Sequence, residues 1–178
     1  MYKNILLVVC TILVFGMFMQ SGTASNSSSS TATAYVLQTI DVTLSYPEGS
    51  GIDFPGLVPG SYNNSANSTL NITITPLTNV RTNISQAATG PFVSGSDTLT
   101  IDNLIYNNQS IFEHTWDNNV TMTTVNGAPP FPNWKNISKP IGGVPQYRNA
   151  SYYLTIPENQ PAGTYQTNIN INVTRCTT

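Results

Sequence analysis

Hydrophobic and polar positions alternate along most of this chain. The pattern is plainest over residues 34–46, AYVLQTIDVTLSY. There Val36, Ile40, Val42, Leu44 and Tyr46 share one parity, interrupted only by Gln38, while Thr39, Asp41, Thr43 and Ser45 share the other. Successive side chains of a strand point to opposite faces. A period of two built from β-branched and aromatic residues therefore predicts a half-buried strand. Leu70, Ile72 and Ile74 predict a second strand over residues 70–76, and Val80 and Ile84 a third over 78–85. Residues 99–105 begin with Leu99 and Ile101 in phase. They change parity at Leu104 and Ile105, which predicts a bulge or a strand end. Further strands are predicted over 120–125, over 152–156 with Tyr152, Leu154 and Ile156 on one face, and over 164–174. In the last, Tyr165, Ile169, Ile171 and Val173 oppose Gln166, Asn168, Asn170 and Asn172.

Glycine and proline clusters separate these segments at 47–51 and 157–163. Residues 126–144 carry Phe131 and Trp134 among closely spaced prolines, a composition that predicts a long loop rather than a central strand. No stretch shows a helical repeat. The expectation is an all-β chain: a single Ig-like or jelly-roll-type β-sandwich of about seven or eight strands.

The first 24 residues read as a secretory signal peptide. Lys3 precedes an apolar run over residues 5–19, too short for a comfortable membrane span, and Gly22-Thr23-Ala24 supplies small residues for cleavage. An uncleaved anchor or a pilin-type leader are the alternatives. Residues 25–33, SNSSSSTAT, form a Ser/Thr-rich flexible tether, 34–46 the opening strand, and 47–178 the sandwich domain. Removal of the signal would leave Cys176 as a lone thiol, with no internal disulfide to be made.

Charge narrows the function. Only 8% of residues are charged, and the formal net charge is −2. Without a basic patch no nucleic-acid partner is expected. Ten Asn-x-Ser/Thr sequons supply a different kind of surface: Asn26, Asn63, Asn67, Asn71, Asn83, Asn108, Asn119, Asn136, Asn149 and Asn172. Asn71, Asn83, Asn119 and Asn172 alternate with apolar neighbours, which places them on the outward face of their strands. N-glycosylation needs that exposure, and heavy N-glycosylation is expected.

Catalytic chemistry finds little support. His114 is the only histidine, and no Gly-x-Ser-x-Gly elbow accompanies it. No Cys/His cluster offers zinc ligands, and Asp117-Asn118-Asn119 lacks calcium-loop spacing. Lys135 and Lys139 lie in the Pro-rich loop, a poor setting for a buried Lys–Asn isopeptide bond. Trp116, Phe131, Trp134 and Tyr147 either pack that loop or form a sugar-binding platform. No enzyme, no metal and no cofactor other than covalent N-glycans are expected.

Two motifs carry a resemblance. Ile52-Asp53-Phe54-Pro55-Gly56-Leu57-Val58-Pro59-Gly60 followed by Leu70-Asn71-Ile72-Thr73-Ile74, and the ending Tyr153-Leu154-Thr155-Ile156-Pro157 with Gln160-Pro161-Ala162-Gly163-Thr164-Tyr165, resemble secreted archaeal β-sandwich filament subunits. These are of the thread and bundling-pilus type, related in fold to the TasA/camelysin biofilm-fibre proteins. Pro55 stands where their pattern has glycine. The resemblance implies an extracellular, cell-surface filament for adhesion or biofilm, assembled head to tail from identical subunits by donor-strand complementation. Val36, Ile40, Val42, Leu44 and Tyr46 would be the donated row, and a surface or glycan adhesion target a further partner. The membrane would be met only through the transient signal segment. The alternative is a non-polymeric surface, envelope or virion glycoprotein, or a sugar-binding adhesin module.

Overall fold

The computed structural model describes residues 34, 36–49, 51–108 and 119–176. The leader, the tether with Asn26, and His114 and Trp116 lie outside the described residues. The chain divides into two compact units, Met1–Val36 and Leu37–Thr178. The second is described below.

The architecture is all-β. Among the described residues ten strands run in order: β1 Val42–Ser45, β2 Asn64–Ser65, β3 Leu70–Ile74, β4 Thr82–Ala88, β5 Phe92–Ser94, β6 Asp97–Leu99, β7 Leu104–Asn107, β8 Val120–Thr121, β9 Gln146–Leu154 and β10 Ile169–Arg175. The larger sheet has the order β1-β3-β9-β7-β8, with β2 also paired to β9. Every pairing in it is antiparallel. Facing it, β4 pairs with β10 and β5 with β6. A bridge from Val93 to Gln166 ties the β5–β6 hairpin to the chain entering β10.

The alternation dictates the core. Leu70, Ile72 and Ile74 of β3 are buried beside Ala150, Tyr152 and Leu154 of β9 and Leu104 and Tyr106 of β7. From the opposite layer come Ile84 and Ala88. Full burial of one such aliphatic side chain contributes about 1.5–3 kcal/mol. The Tyr152 hydroxyl crosses the core to donate to Gln86 Oε1 at 2.7 Å. Burial pushes its pKa well above the usual tyrosine value. At one end of the core an aromatic plug closes the sandwich. Trp134 stacks on Tyr106 with centroids 6.3 Å apart and meets Phe131 edge-on at 5.0 Å. Both Phe131 and Trp134 are buried, so the Pro-rich loop is a packed wall of the core.

Several boundaries differ from the sequence expectation, each for a local reason. The opening strand is hydrogen-bonded as a ladder only over Val42–Ser45. The parity shift near residue 104 is a 3-10 turn, Ile101–Asn103, that separates β6 from β7 within what reads as one strand. The last strand begins at Ile169 rather than 164, and β9 begins at Gln146 rather than 152. Among the described residues ten strands are present where about seven or eight were expected, because β2, β5, β6 and β8 are two or three residues long, too short to carry a period. The β5–β6 hairpin turns at Gly95, whose φ of 61° is a left-handed conformation that glycine adopts without a steric penalty.

Candidate functional site

A sheet is completed by closing or blunting its edges, and this sandwich does so on one flank only. On that flank β8 is two residues long, and the outer edge of β4 is capped. Thr82 and Ile137 exchange backbone hydrogen bonds of 3.1 and 2.8 Å, and the Ala88 N–H donates to Thr123 O at 2.9 Å. Short edge strands and covering loops are the usual protection against stray pairing.

The other flank is open. It is formed by β1 in one layer and β10 in the other, each paired on a single side among the described residues. The two strands run antiparallel across the flank. Tyr46, after β1, lines a cavity of about 480 Å³ with Ile169 and Asn170, while Arg175 at the far end of β10 donates to Gln38 Oε1 at 3.0 Å. Between them Val42 and Tyr46 on one side and Ile169, Ile171 and Val173 on the other are only half-buried, although they pack on the core. Leu44 is 46% exposed. The register explains their direction: Val42 and Leu44 pair with the fully buried Ile74 and Ile72, so their side chains share the core-facing side of the sheet.

Hydrogen-bond phase identifies the groups of β10 that turn away from β4. Thr89 N donates to Asn168 O and Cys176 N to Arg81 O, both at 2.9 Å. Even-numbered residues of β10 therefore bond to β4. By alternation the N–H and C=O groups of Ile169, Ile171, Val173 and Arg175 face the open flank. Cys176 is half-buried and held by that backbone bond to β4.

The residues expected to form a donated row behave as two groups. In the single chain Val42 and Leu44 belong to the β1–β3 ladder, and Val42 and Tyr46 pack on the core. Upstream, Val36 and Leu37 are 81% and 84% exposed, and Ile40 lies at the border of exposure. The division falls at a clamp that sequence reading did not find. Asn79 acts as a backbone mimic: its Oδ1 accepts from Thr39 N at 2.9 Å, its Nδ2 donates to Leu37 O at 2.7 Å, and its own N–H donates to Thr39 O at 3.1 Å. Next to it Asp41 N donates to Thr78 Oγ1 at 2.9 Å, Thr75 N donates to Asp41 O at 3.0 Å, and the Thr75 hydroxyl donates to the Asp41 carboxylate. These partners are 34 to 42 positions apart in sequence, and no local pattern marks them.

Nine of the ten sequon asparagines fall within the described residues, and none of the nine is buried. Asn63, Asn67 and Asn136 are exposed; Asn71, Asn83, Asn108, Asn119, Asn149 and Asn172 are half-buried. Asn71 and Asn149 are direct partners on the outer face of the β3–β9 pair. In four cases the carbonyl oxygen is engaged, which leaves the amide nitrogen, the atom that carries a glycan, for other use. Asn67 Oδ1 accepts from Asp53 N, Asn83 Oδ1 from Asn136 N, Asn119 Oδ1 from Asn107 Nδ2, and Asn136 Oδ1 from Arg81.

Other candidates separate cleanly. Phe131 and Trp134 are inside the core and offer no sugar-stacking face, whereas Tyr147 is exposed. Lys135 and Lys139 are exposed and lack the burial an isopeptide bond requires. Among the described residues no group of three or more His, Cys, Asp or Glu is placed to hold a metal, and no helix is long and apolar enough to cross a membrane. No family model matches the chain, and no curated protein matches it either.

Proposed function

We propose that this chain is a structural subunit of an extracellular, N-glycosylated cell-surface filament, assembled head to tail by donation of an N-terminal strand to the next copy. The observation that carries the reading is the flank between β1 and β10, where each strand is paired on one side only among the described residues and Val42, Leu44, Ile169, Ile171 and Val173 are incompletely buried. Val36 and Leu37, upstream of β1, are exposed apolar residues. An unpaired edge presents backbone donors and acceptors in register for an incoming strand, and alternate pockets beneath it take the side chains. Because the arm upstream of β1 and the flank are different surfaces, each subunit can give and receive. The contact does not close on itself, and a fibre results.

The outward sequons fit this role. With only 8% charged residues, glycans on the two outer faces would keep a fibre hydrated and discourage side-by-side pairing of its sheets. Adhesion or biofilm formation at the cell surface is the corresponding biological role. The reading is tested by deleting residues 25–36 from the secreted protein. The expected product is a folded monomer, since every described strand lies downstream of the deletion. Fibres formed by the truncated chain would refute strand donation.

A further inference from the structure

Among the described residues the few charges are sorted by end of the sandwich. At one end Ile74 pairs with Val42 and Gln146, and Thr82 pairs with Arg175 and bridges to Ile137. Arg81, Lys135, Lys139, Arg148 and Arg175 lie at or within a few residues of those pairings, with one acid, Asp41. At the other end Leu154 pairs with Leu104 and Asn64, and Ala88 with Ile169. Glu48, Asp53, Asp102 and Glu158 lie there. Asp97 precedes Thr98, whose carbonyl accepts from Gln160 Nε2 at 3.1 Å at the same end. These five acids are all exposed, as are all the cations but the half-buried Arg148. Glu113 and Asp117 are outside the described residues. The arginines spend their hydrogen bonds on neutral acceptors: Arg81 on Asn136 Oδ1, Arg148 on the Asn133 and Tyr147 carbonyls, Arg175 on Gln38 Oε1.

Each end also has an apolar shape. At the cationic end Ile141 and Val144 bridge across Gly142-Gly143, whose φ angles of 63° and 78° close a tight turn. Pro140 and Pro145 stiffen its flanks, and Lys139 and Arg148 stand on either side. Ile141 is 75% exposed and Val144 60%. At the acidic end a cleft of about 710 Å³ opens between residues 52–59 and 160–168, with Phe54, Leu57, Leu99, Ile156 and Tyr165 in its walls. Asp53 lines it, and Glu158 lies between the lining residues Ile156 and Gln160.

We infer that the 141–144 turn of one copy docks into the acid-rimmed cleft of the next. This end-to-end contact rests on the head-to-tail filament reading and adds to it a surface that strand donation does not supply. The occupant is argued from complementarity. An apolar knob flanked by cations and an apolar cleft flanked by acids are carried by the same chain at opposite ends. An apolar side chain seated in a pocket anchors an interface, and opposite charges around it fix orientation and exclude like ends. An anionic lipid surface would match the cations and leave the acidic cleft without a partner. No sequon asparagine lies in the turn or lines the cleft, so glycans need not intervene.

Photo-cross-linking of the full-length secreted protein tests this. The variant I141C/C176S is labelled at residue 141 with a benzophenone maleimide, illuminated at low salt and digested for mass spectrometry. Cross-links between copies are expected, ending on residues 52–59 or 160–168, and they are expected to fade in about 1 M salt, where charges are screened beyond about 3 Å. Exposed charges are reversed in two further variants of the labelled chain, K135E/K139E and D53K/E158K. Each alone is expected to lose the cross-link, and an equimolar mixture to regain it, because each then meets an end of opposite sign. A mixture that stays uncross-linked overturns the inference. Fibres in which residue 141 cross-links elsewhere, or not at all, overturn it and leave the filament reading intact. The absence of both fibres and cross-links removes the filament reading as well. Cosedimentation with vesicles of anionic phospholipid that K135E/K139E abolishes, with no cross-link between copies, overturns it in favour of a lipid surface.

Discussion

Replacing Asn79 by alanine isolates the clamp. The change removes two hydrogen bonds, from Thr39 N to Oδ1 at 2.9 Å and from Nδ2 to Leu37 O at 2.7 Å, and keeps the main-chain bond from Asn79 N to Thr39 O. A neutral hydrogen bond contributes about 0.5–1.5 kcal/mol net. The site is exposed, so the two together are worth about 1–2 kcal/mol of local stability, or a factor of about 5–30 in the population of the open arm. No core side chain is disturbed, and the melting temperature is expected to stay nearly constant. The change is therefore local, and native-state hydrogen exchange is the assay that sees it. The Thr39 amide is expected to exchange about 5- to 30-fold faster in Asn79→Ala, with the amides of β3 and β9 unchanged. Unaltered exchange at Thr39 would refute the clamp. A matching loss of protection throughout β3 would show instead that Asn79 supports the whole sheet.

Three further outcomes follow from the same structure. Trp134→Ala empties a fully buried site against Tyr106 and Phe131 and is expected to cost about 3–5 kcal/mol, read as a fall in Tm on the order of 10 °C. Burial raises the Tyr152 pKa in the folded state, so the stability it contributes is fully present below the unfolded tyrosine pKa of about 10. That stability is lost as pH climbs above about 10 toward the folded value, and alkaline denaturation monitored by tyrosine absorbance is expected to be blunted in Tyr152→Phe. Leu44→Lys places a charge on that flank at a residue that is 46% exposed, and is expected to cost less than about 1 kcal/mol in chemical denaturation while reducing fibre yield, since an incoming strand must desolvate it.

Periodicity makes much of the fold legible in the sequence. Leu70, Ile72 and Ile74 alternate with polar residues in a strand buried on one side, and β3 lies where the alternation puts it. The inward row Ile169, Ile171 and Val173 is likewise correct. Periodicity fails where strands are too short to express it, as in Phe92–Ser94 and Asp97–Leu99 around Gly95. It also fails at Ile101–Asn103, where a 3-10 turn interrupts an apolar run. Composition leaves Trp134 open between packing and sugar binding, because a Pro-rich segment becomes a core wall only when its aromatic residues find a pocket. The open flank is not readable at all. A strand's own sequence records which face is apolar and is silent on which edges acquire partners, since pairing is settled by residues far away in the chain. The Asn79 clamp belongs to the same class. A polar residue in a turn shows its purpose only when the fold brings Leu37 and Thr39 beside it.

Whether one subunit completes the flank of the next is decided by negative-stain electron microscopy of the full-length protein, concentrated without denaturant. Unbranched fibres about one β-sandwich wide are expected, and they are expected to disappear when Val36 is changed to proline. A monodisperse monomer under those conditions, with the exposed arm intact, would contradict strand donation between copies.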